Sequence, residues 1–577
     1  YIEMKKQYFL AIAMFMLLTV FAACSSDDNL DNSKGKVDVV SKFEFPVTFA
    51  DYNSDVQVGN TRAAANSSDT LNHEFVNMGN GIVADVTLQR DKENLSGNSD
   101  KSASTRALTS DSYTMLAYQG GTLKGELKGF ISGGSFIPNA GDPESMLLAP
   151  GNYDFVLYPT SRFTRSGNNL TPTSANEYAI LGRTNYTVTA TPQKQKVSFA
   201  MKHTAARVRV KFNTYIKVQP SYFGVSFSAA NPAEVPSSAV YDAATGTWST
   251  SGAGGAFSFG GSSAWTESTN GSGVYSYTSP DYSYIFPGSN ITNLKATFTN
   301  ATIYTENLSG KSLTFALTPV LSSVANGSYL ISITFNYNFL YLMTDGTTGL
   351  FSETTFGGGT KTPIAVVASQ SKRLAAALNN AASYAFFSNT YGTHNSSQIP
   401  EPGWYQGFNQ SSFDADGADG YKFTWEAAGS ADGTTIKANE QTKYPAFYTA
   451  GHYVPTLPAG KVLTGSIVGK KWFLPSAGEI AKLYTGVRTL SSVEYSPQSM
   501  GGGMYSTTFY ENPIYQYNPG APLGMLGMAF RQVGGETPGT HGDMLTSSTI
   551  GNSFFTMSVT FLQKDNGGGS IRPFIHY

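Results

Sequence analysis

Lys42-Phe43-Glu44-Phe45-Pro46-Val47-Thr48-Phe49 puts Phe43, Phe45, Val47 and Phe49 on one side of an extended chain and the intervening residues on the other. Alternation of this kind marks a strand with one face in a core. Pro46 has no N–H to give to a ladder, which predicts an edge position. The same texture runs on. A hairpin is expected from Glu74-Phe75-Val76 and residues 82–88 about the Asn80-Gly81 turn. Short alternating runs then recur at 113–118, 125–130, 153–158, 196–202, 206–212, 222–228, 294–298, 312–317 and 329–339. That spacing predicts a mainly β chain with two tandem β-sandwich domains, 41–204 and 205–350. Within the second, Arg207, Arg209 and Lys211 alternate with Val208, Val210 and Phe212, and are read as the polar face of a half-buried strand.

The composition agrees with short strands and turns: 34 Tyr and 37 Phe stand beside 59 Gly. A chain of 577 residues exceeds the size at which one core keeps growing, so several domains are expected. Net charge is −2 and only 14 % of residues are charged, which argues against nucleic acid or a highly charged partner. The single cysteine excludes an internal disulfide.

That cysteine has a different reading. Met4-Lys5-Lys6 is a basic start, residues 8–23 are almost wholly apolar, and Phe21-Ala22-Ala23-Cys24 ends the run in small residues before a thiol. The apolar run is short for a membrane span, so residues 1–23 are read as a lipoprotein signal peptide and Cys24 as the lipidated residue. A polar tether, 24–40, follows, beginning Ser25-Ser26-Asp27-Asp28-Asn29. No cofactor is expected beyond a diacylglycerol and palmitate anchor on the precursor. At the other end, residues 351–362, with Gly357-Gly358-Gly359, read as a linker, and 363–577 as a mixed α+β domain. There Ile364-Ala365-Val366-Val367 is strand-like, and residues 372–381 are left as strand or helix. Ser476 and Glu479 have capping-box spacing, with Ile480, Leu483 and Tyr484 as the apolar stripe of the helix behind them.

Several short segments carry a family likeness. The lipobox, Thr61-Arg62-Ala63 and Thr105-Arg106-Ala107, the stretch 123–129 (Leu-Lys-Gly-Glu-Leu-Lys-Gly), and 197–203 running into Ala206-Arg207-Val208 resemble fimbrillin-family pilins, the type V pilus subunits of Bacteroidota. The resemblance covers roughly residues 4–350. It implies transthyretin-like sandwiches, an outer-membrane lipid-anchored precursor, cleavage by an Arg-specific protease, and assembly with other pilin subunits by strand exchange. The last domain resembles the Fibrobacter major paralogous domain, which has a C-type-lectin-like fold. Trp472-Phe473-Leu474-Pro475-Ser476-Ala477-Gly478-Glu479, Gly503-Met504-Tyr505-Ser506-Thr507-Thr508 and Ile571-Arg572-Pro573-Phe574 carry that likeness. The Trp usual after the tyrosine is missing at Ser506.

On this reading Phe43, Phe45, Val47 and Phe49 form the exchanged strand. Arg62, followed by Ala63, is the processing site, with Arg106 and Ala107 as the alternative. A C-terminal end tied into its own domain would make the chain a pilus tip adhesin, facing a host or bacterial surface glycan or protein. A non-polymerising outer-membrane lipoprotein that binds glycans is the alternative. Trp404, Tyr405, Phe408 and Trp425 are candidate sugar-stacking residues, with core packing as the competing reading. Asp414, Asp416 and Asp419 resemble a calcium loop, but the third Asp is one place late and no terminal Glu follows at the required spacing. Histidines at 73, 203, 394, 452, 541 and 576 show no zinc-ligand spacing, and no hydrolase or nucleotide motif is present, so no enzyme activity is expected.

Overall fold

The computed structural model describes residues 35–53, 70–91, 111–140, 146–190, 194–218, 223–255, 257–260, 265–269, 273–279, 281–304, 306–388, 419–487, 497–501, 504–507, 524–538, 544–550, 553–557 and 568–577. They divide into two compact units, and the chain passes between them more than once. The protein is mainly β, with a smaller α+β part toward the C-terminus. Among the described residues no helix is long and apolar enough to cross a membrane.

The first unit is built on a seven-stranded sheet in the order Val47–Phe49, Phe199–His203, Ile180–Val188, Gly151–Pro159, Ser112–Gln119, Thr122–Ser132, Ser135–Pro138. Successive strands are antiparallel except the first pair, which is parallel. Strands 112–119 and 151–159 are buried on both faces, and two cores explain why. On one face Tyr113, Met115, Phe155 and Leu157 meet Phe45, Phe136 and Phe199. On the other, Leu116, Tyr118, Val156 and Tyr158 meet Leu170 and Tyr241 from a four-stranded sheet, Phe163–Ser166, Asn169–Pro172, Ser238–Asp242 and Thr247–Ser251.

Residues 238–251 therefore complete the first unit, although the expected boundary put everything beyond 204 in the second domain. The hairpin shows the converse. Thr70–Gly79 and Ile82–Arg90, read as part of 41–204, join the second unit, where Ile82–Arg90 pairs along its whole length with Ser328–Tyr337. Alternation reports which face of a strand is apolar, but not which sheet receives it. The tether also ends sooner than expected: Val37 and Val39 lie in the first unit's core.

In the second unit, Ala206–Thr214 runs parallel to Ser328–Tyr337 within a sheet that also holds the hairpin. A second sheet, including Phe223–Ala229, Asn293–Ile303 and Ser312–Ala316, supplies Val225, Phe227, Leu294 and Phe298 to the core shared with Val208, Val210 and Phe212. The polar face assigned to Arg207, Arg209 and Lys211 is only partly so. Arg207 and Lys211 are half-buried, but Arg209 is 1 % exposed. Its Nε lies 2.6 Å from Asp91 Oδ2, its Nη2 donates to Oδ1 at 2.9 Å, and Tyr282 Oη donates to Oδ2 at 2.7 Å. A buried charge is tolerated when a fixed, hydrogen-bonded counter-charge meets it.

The α+β part begins before residue 350. A six-stranded antiparallel sheet runs Thr348–Leu350, Leu340–Met343, Pro363–Ser369, Leu374–Ala377, Phe574–His576, Trp472–Phe473. Residues 374–377 are thus strand, not helix. Helices Gly420–Trp425, Pro445–Gly451, Ala477–Gly486 and Gly524–Arg531 accompany the sheet. The expected linker, 351–362, is instead a packed turn. Phe351 and Thr354 are buried, Thr354 bridges to Lys361, and a Cβ on Gly359 would fall 2.0 Å from Glu353 O. Only glycine permits that close a crossing.

This part shares one hydrophobic core with the second sandwich, from Phe335 and Tyr337 through Phe351 to Leu526 and Phe530. Polar links reinforce it: Tyr341 Oη donates to Ala529 O at 2.6 Å, and Arg531 donates to Gly273 O at 2.7 Å and Tyr215 O at 2.8 Å. Replacing Asp91 by Ala strands the Arg209 guanidinium in this unit and is expected to cost about 3–5 kcal/mol. Urea unfolding checks this, with Lys211→Ala on the same strand expected to cost under about 1 kcal/mol.

Candidate functional site

Residues 37–49 build the site from local signals. Asp38 Oδ1 accepts from Val40 N–H at 3.0 Å and caps a single turn, Val39–Lys42. The alternating chain beyond it extends, and Phe43–Glu44 and Val47–Phe49 run parallel to Gln195–Lys196 and Phe199–His203. On that side Val197 N–H donates to Glu44 O at 2.9 Å, Phe199 N–H to Pro46 O at 2.8 Å, and Ala50 N–H to Met201 O at 2.8 Å.

The other side is also occupied. Val47 N–H donates to Gly134 O at 2.8 Å, Phe136 N–H donates to Phe45 O at 2.9 Å, and Pro46 bridges to Ser135. Residues 43–49 therefore fill the slot between Phe199–His203 and Ser135–Pro138 and close the sheet on itself. The edge position expected from Pro46 is not what forms. Toward Ser135 the bonds use Phe45 O and Val47 N, so the missing N–H of Pro46 interrupts neither.

Side chains match this placement. Phe43, Phe45 and Val47 are 6 %, 2 % and 6 % exposed, while Phe49 is half-buried against the same core. Phe45 meets Phe136 edge-on at 6.0 Å between ring centroids, and Phe43 lies 6.5 Å from Phe155. Gly129, in the Leu-Lys-Gly-Glu-Leu-Lys-Gly stretch, lets the far wall approach: a Cβ there would fall 2.1 Å from Ile137 O. Beyond the slot, Tyr52 stacks on His203 at 3.9 Å.

Cys24, Arg62, Ala63, Arg106, Ala107, Trp404, Tyr405, Phe408, Asp414 and Asp416 lie outside the described residues. Trp425 is half-buried. Its Nε1–H donates to Trp472 O at 2.7 Å, Lys471 Nζ sits 4.1 Å from the ring centroid, and a Cβ on Gly451 would lie 2.8 Å from its Cζ2. Asp419 Oδ1 accepts from Tyr421 and Lys422 N–H at 2.9 and 3.2 Å and caps the helix Gly420–Trp425.

A second grouping escaped the sequence reading except for its cap. Ser476 and Glu479 form the expected capping box: Glu479 Oε2 accepts from Ser476 N–H at 2.7 Å, and Ser476 Oγ accepts from Glu479 N–H at 3.3 Å. The same Oε2 accepts from Gly420 N–H at 3.1 Å. Burial pushes the Glu479 carboxyl up to about 8, with the Asp419 charge adding to the shift. His576 Nε2 stands 3.9 Å from Glu479 Oε1, its ring stacked on Phe473 at 5.0 Å. Arg572, in the closing Arg-Pro-Phe run, is buried and donates to Ala377 O, Leu378 O and Glu536 O at 3.1, 2.6 and 2.9 Å. Two of the three sequence motifs of this part, 472–479 and 571–574, thus hold its fold together.

Comparison with known proteins gives one family match: the profile described as Fimbrillin-like matches residues 169–353, about a third of the chain. No curated protein matches. Solved structures with similarity include a proposed cell adhesion protein of Bacteroides uniformis, 17 % identical, covering 39 % of this chain and 86 % of that one at a TM-score of 0.26. Another, of Bacteroides ovatus, is 14 % identical over 51 % of this chain and 91 % of its own, also at 0.26. A fimbrial assembly protein of Parabacteroides distasonis is 8 % identical over 42 % and 90 %, at 0.24.

If the slot is a packed core, Phe45→Ala should cost about 3–5 kcal/mol, whereas Val320→Ala, at a residue 68 % exposed, should cost under about 0.5 kcal/mol. Denaturant midpoints of the two variants check the difference.

Proposed function

We propose that this chain is a surface fimbrial subunit, held first by a lipid on Cys24 and made competent for assembly when cleavage after Arg62 removes residues 43–49. The carrying observation is that these residues bond to both neighbouring strands and fill an apolar slot. Their removal leaves Val197 N–H, Phe199 N–H, Phe136 N–H and Gly134 O without partners, beside uncovered Phe136 and Phe155. Each unmade buried hydrogen bond costs about 1–3 kcal/mol, so a strand from another pilin subunit is bound strongly in the vacated place. The fimbrillin-like match supports this class of function.

The hairpin bears on the choice between the two candidate cleavage sites. Between Arg62 and Arg106 lies the hairpin, whose strand Ile82–Arg90 is paired on both sides in the second unit. Cutting after Arg62 frees the slot-filling segment alone. Cutting only after Arg106 would sever the hairpin from the rest of the chain as well, leaving part of a core held by pairing alone. Arg62, with Ala63 as the new first residue, is therefore preferred.

Tip position is supported by the fate of residues 574–576. They are hydrogen-bonded between Leu374–Ala377 and Trp472–Phe473, so they are not a free donor strand. A subunit that accepts but does not donate would end a polymer, and on this proposal the C-terminal α+β part, read as lectin-like, faces a surface glycan or protein. The competing reading, an outer-membrane lipoprotein that binds glycans and never polymerises, draws on the same closed sheet, which is complete without cleavage.

Mass spectrometry of the surface form distinguishes them. A mature chain beginning at Ala63 and lacking lipid is expected; one retaining residues 25–62 supports the anchored binder. Arg62→Ala should keep the lipid and abolish assembly. Mixed with a shaft subunit, the processed protein should form a one-to-one, denaturant-resistant pair without further growth, and long polymers containing it internally would contradict the tip position.

A further inference from the structure

Three segments far apart in sequence bring different ligand types together in the C-terminal part. Asp419 stands at the start of Gly420–Trp425, Glu479 in the first turn of Ala477–Gly486, and His576 on the strand Phe574–His576. One donor atom from each lies within 4.8 Å of the others. We propose that Asp419, Glu479 and His576 form a binding site for one divalent transition-metal ion of the zinc type.

The state of Glu479 is the independent observation behind this. The residue is 6 % exposed, and one oxygen, Oε2, is committed to the amides of Ser476 and Gly420. The other, Oε1, faces His576 Nε2 at 3.9 Å. That separation is too long for a hydrogen bond. Two donors on a tetrahedral ion with bonds of about 2.0–2.1 Å stand about 3.3 Å apart, so Glu479 and His576 need about half an ångström and the widest pair of the three, within 4.8 Å, up to about 1.5 Å of closure. His576 is the side that can move, because its side chain is 38 % exposed and it is the last residue of its strand.

Charge favours a cation. His576 is the basic side chain that faces the two carboxylates, and two carboxylates that converge repel unless a cation meets them. Asp419 uses Oδ1 for its cap and has Oδ2 left over. Both carboxylates are thus fixed through one oxygen by backbone amides, which orients the other in advance. The ligand set selects the ion class. One imidazole with two carboxylates suits zinc and its neighbours, whereas calcium and magnesium take oxygen ligands. The site is distinct from the Asp414, Asp416 and Asp419 loop pattern, sharing only Asp419.

The test uses the full chain, stripped with EDTA and titrated with ZnCl₂ by calorimetry alongside thermal melting. One ion per chain is expected, with a rise in melting temperature reversed by EDTA. Asp419→Asn keeps a good helix cap, Glu479→Gln keeps a capping-box acceptor, and His576→Gln changes a half-exposed residue, so all three should fold. Each should weaken Zn²⁺ binding at least tenfold. Absence of Zn²⁺ binding, binding unchanged in all three variants, or tighter binding of Ca²⁺ than of Zn²⁺ would overturn the proposal.

Discussion

Without residues 43–49 the main sheet of the first unit would have two edges, Phe199–His203 and Ser135–Pro138, and this segment joins them. Every other junction in that sheet is antiparallel and made between segments within 112–203, whereas this one is parallel on one side and a short antiparallel bridge on the other. The closing segment is thus a late addition to an otherwise self-contained ladder. Its apolar face completes a core, so backbone and side-chain terms act together. Full burial of a Phe or Val side chain contributes about 1.5–3 kcal/mol, and Phe43, Phe45 and Val47 are all buried there. A segment held this well cannot simply drift out, so the proposed exchange would need a covalent cut to release it.

The second unit is organised around a different constraint. Its sheet takes in a hairpin that precedes the whole 111–205 stretch of the first unit, and the Asp91–Arg209–Tyr282 cluster fixes the end of that hairpin to the strand Ala206–Thr214. Asp91 is the last described residue before the segment that carries Arg106. The ion pair therefore anchors the last described residue of the hairpin segment to the core strand Ala206–Thr214. Continuous packing from Phe335 to Phe530 makes the α+β part an extension of this unit, with the packed turn at 351–362 as its hinge-free joint.

Much of this was legible in the sequence, and the failures share one cause. Strand positions followed from period-two alternation, the helix at 477 from its capping box, and the burial of Phe43, Phe45 and Val47 from their shared face. What could not be read was the partner. Pro46 suggested an edge because alternation does not reveal that Gly134 and Val197 will approach from opposite sides. Arg209 looked solvent-facing because its counter-charge is 118 residues away. The hairpin at 70–91 and the strands at 238–251 were assigned by neighbourhood in sequence, yet each completes the other unit. The same distance hid the grouping of Asp419 and Glu479 with His576: one histidine has no spacing to betray it.

The central claim is that residues 43–49 close the sheet and can be exchanged. Amide hydrogen exchange on the chain before and after proteolysis at Arg62 tests it most directly, read at Phe136, Val197 and Phe199. The account predicts that their protection is lost when residues up to 62 are removed and restored by a peptide of residues 42–50. Protection unchanged by the cut, or lost and not recovered with the peptide, would contradict it.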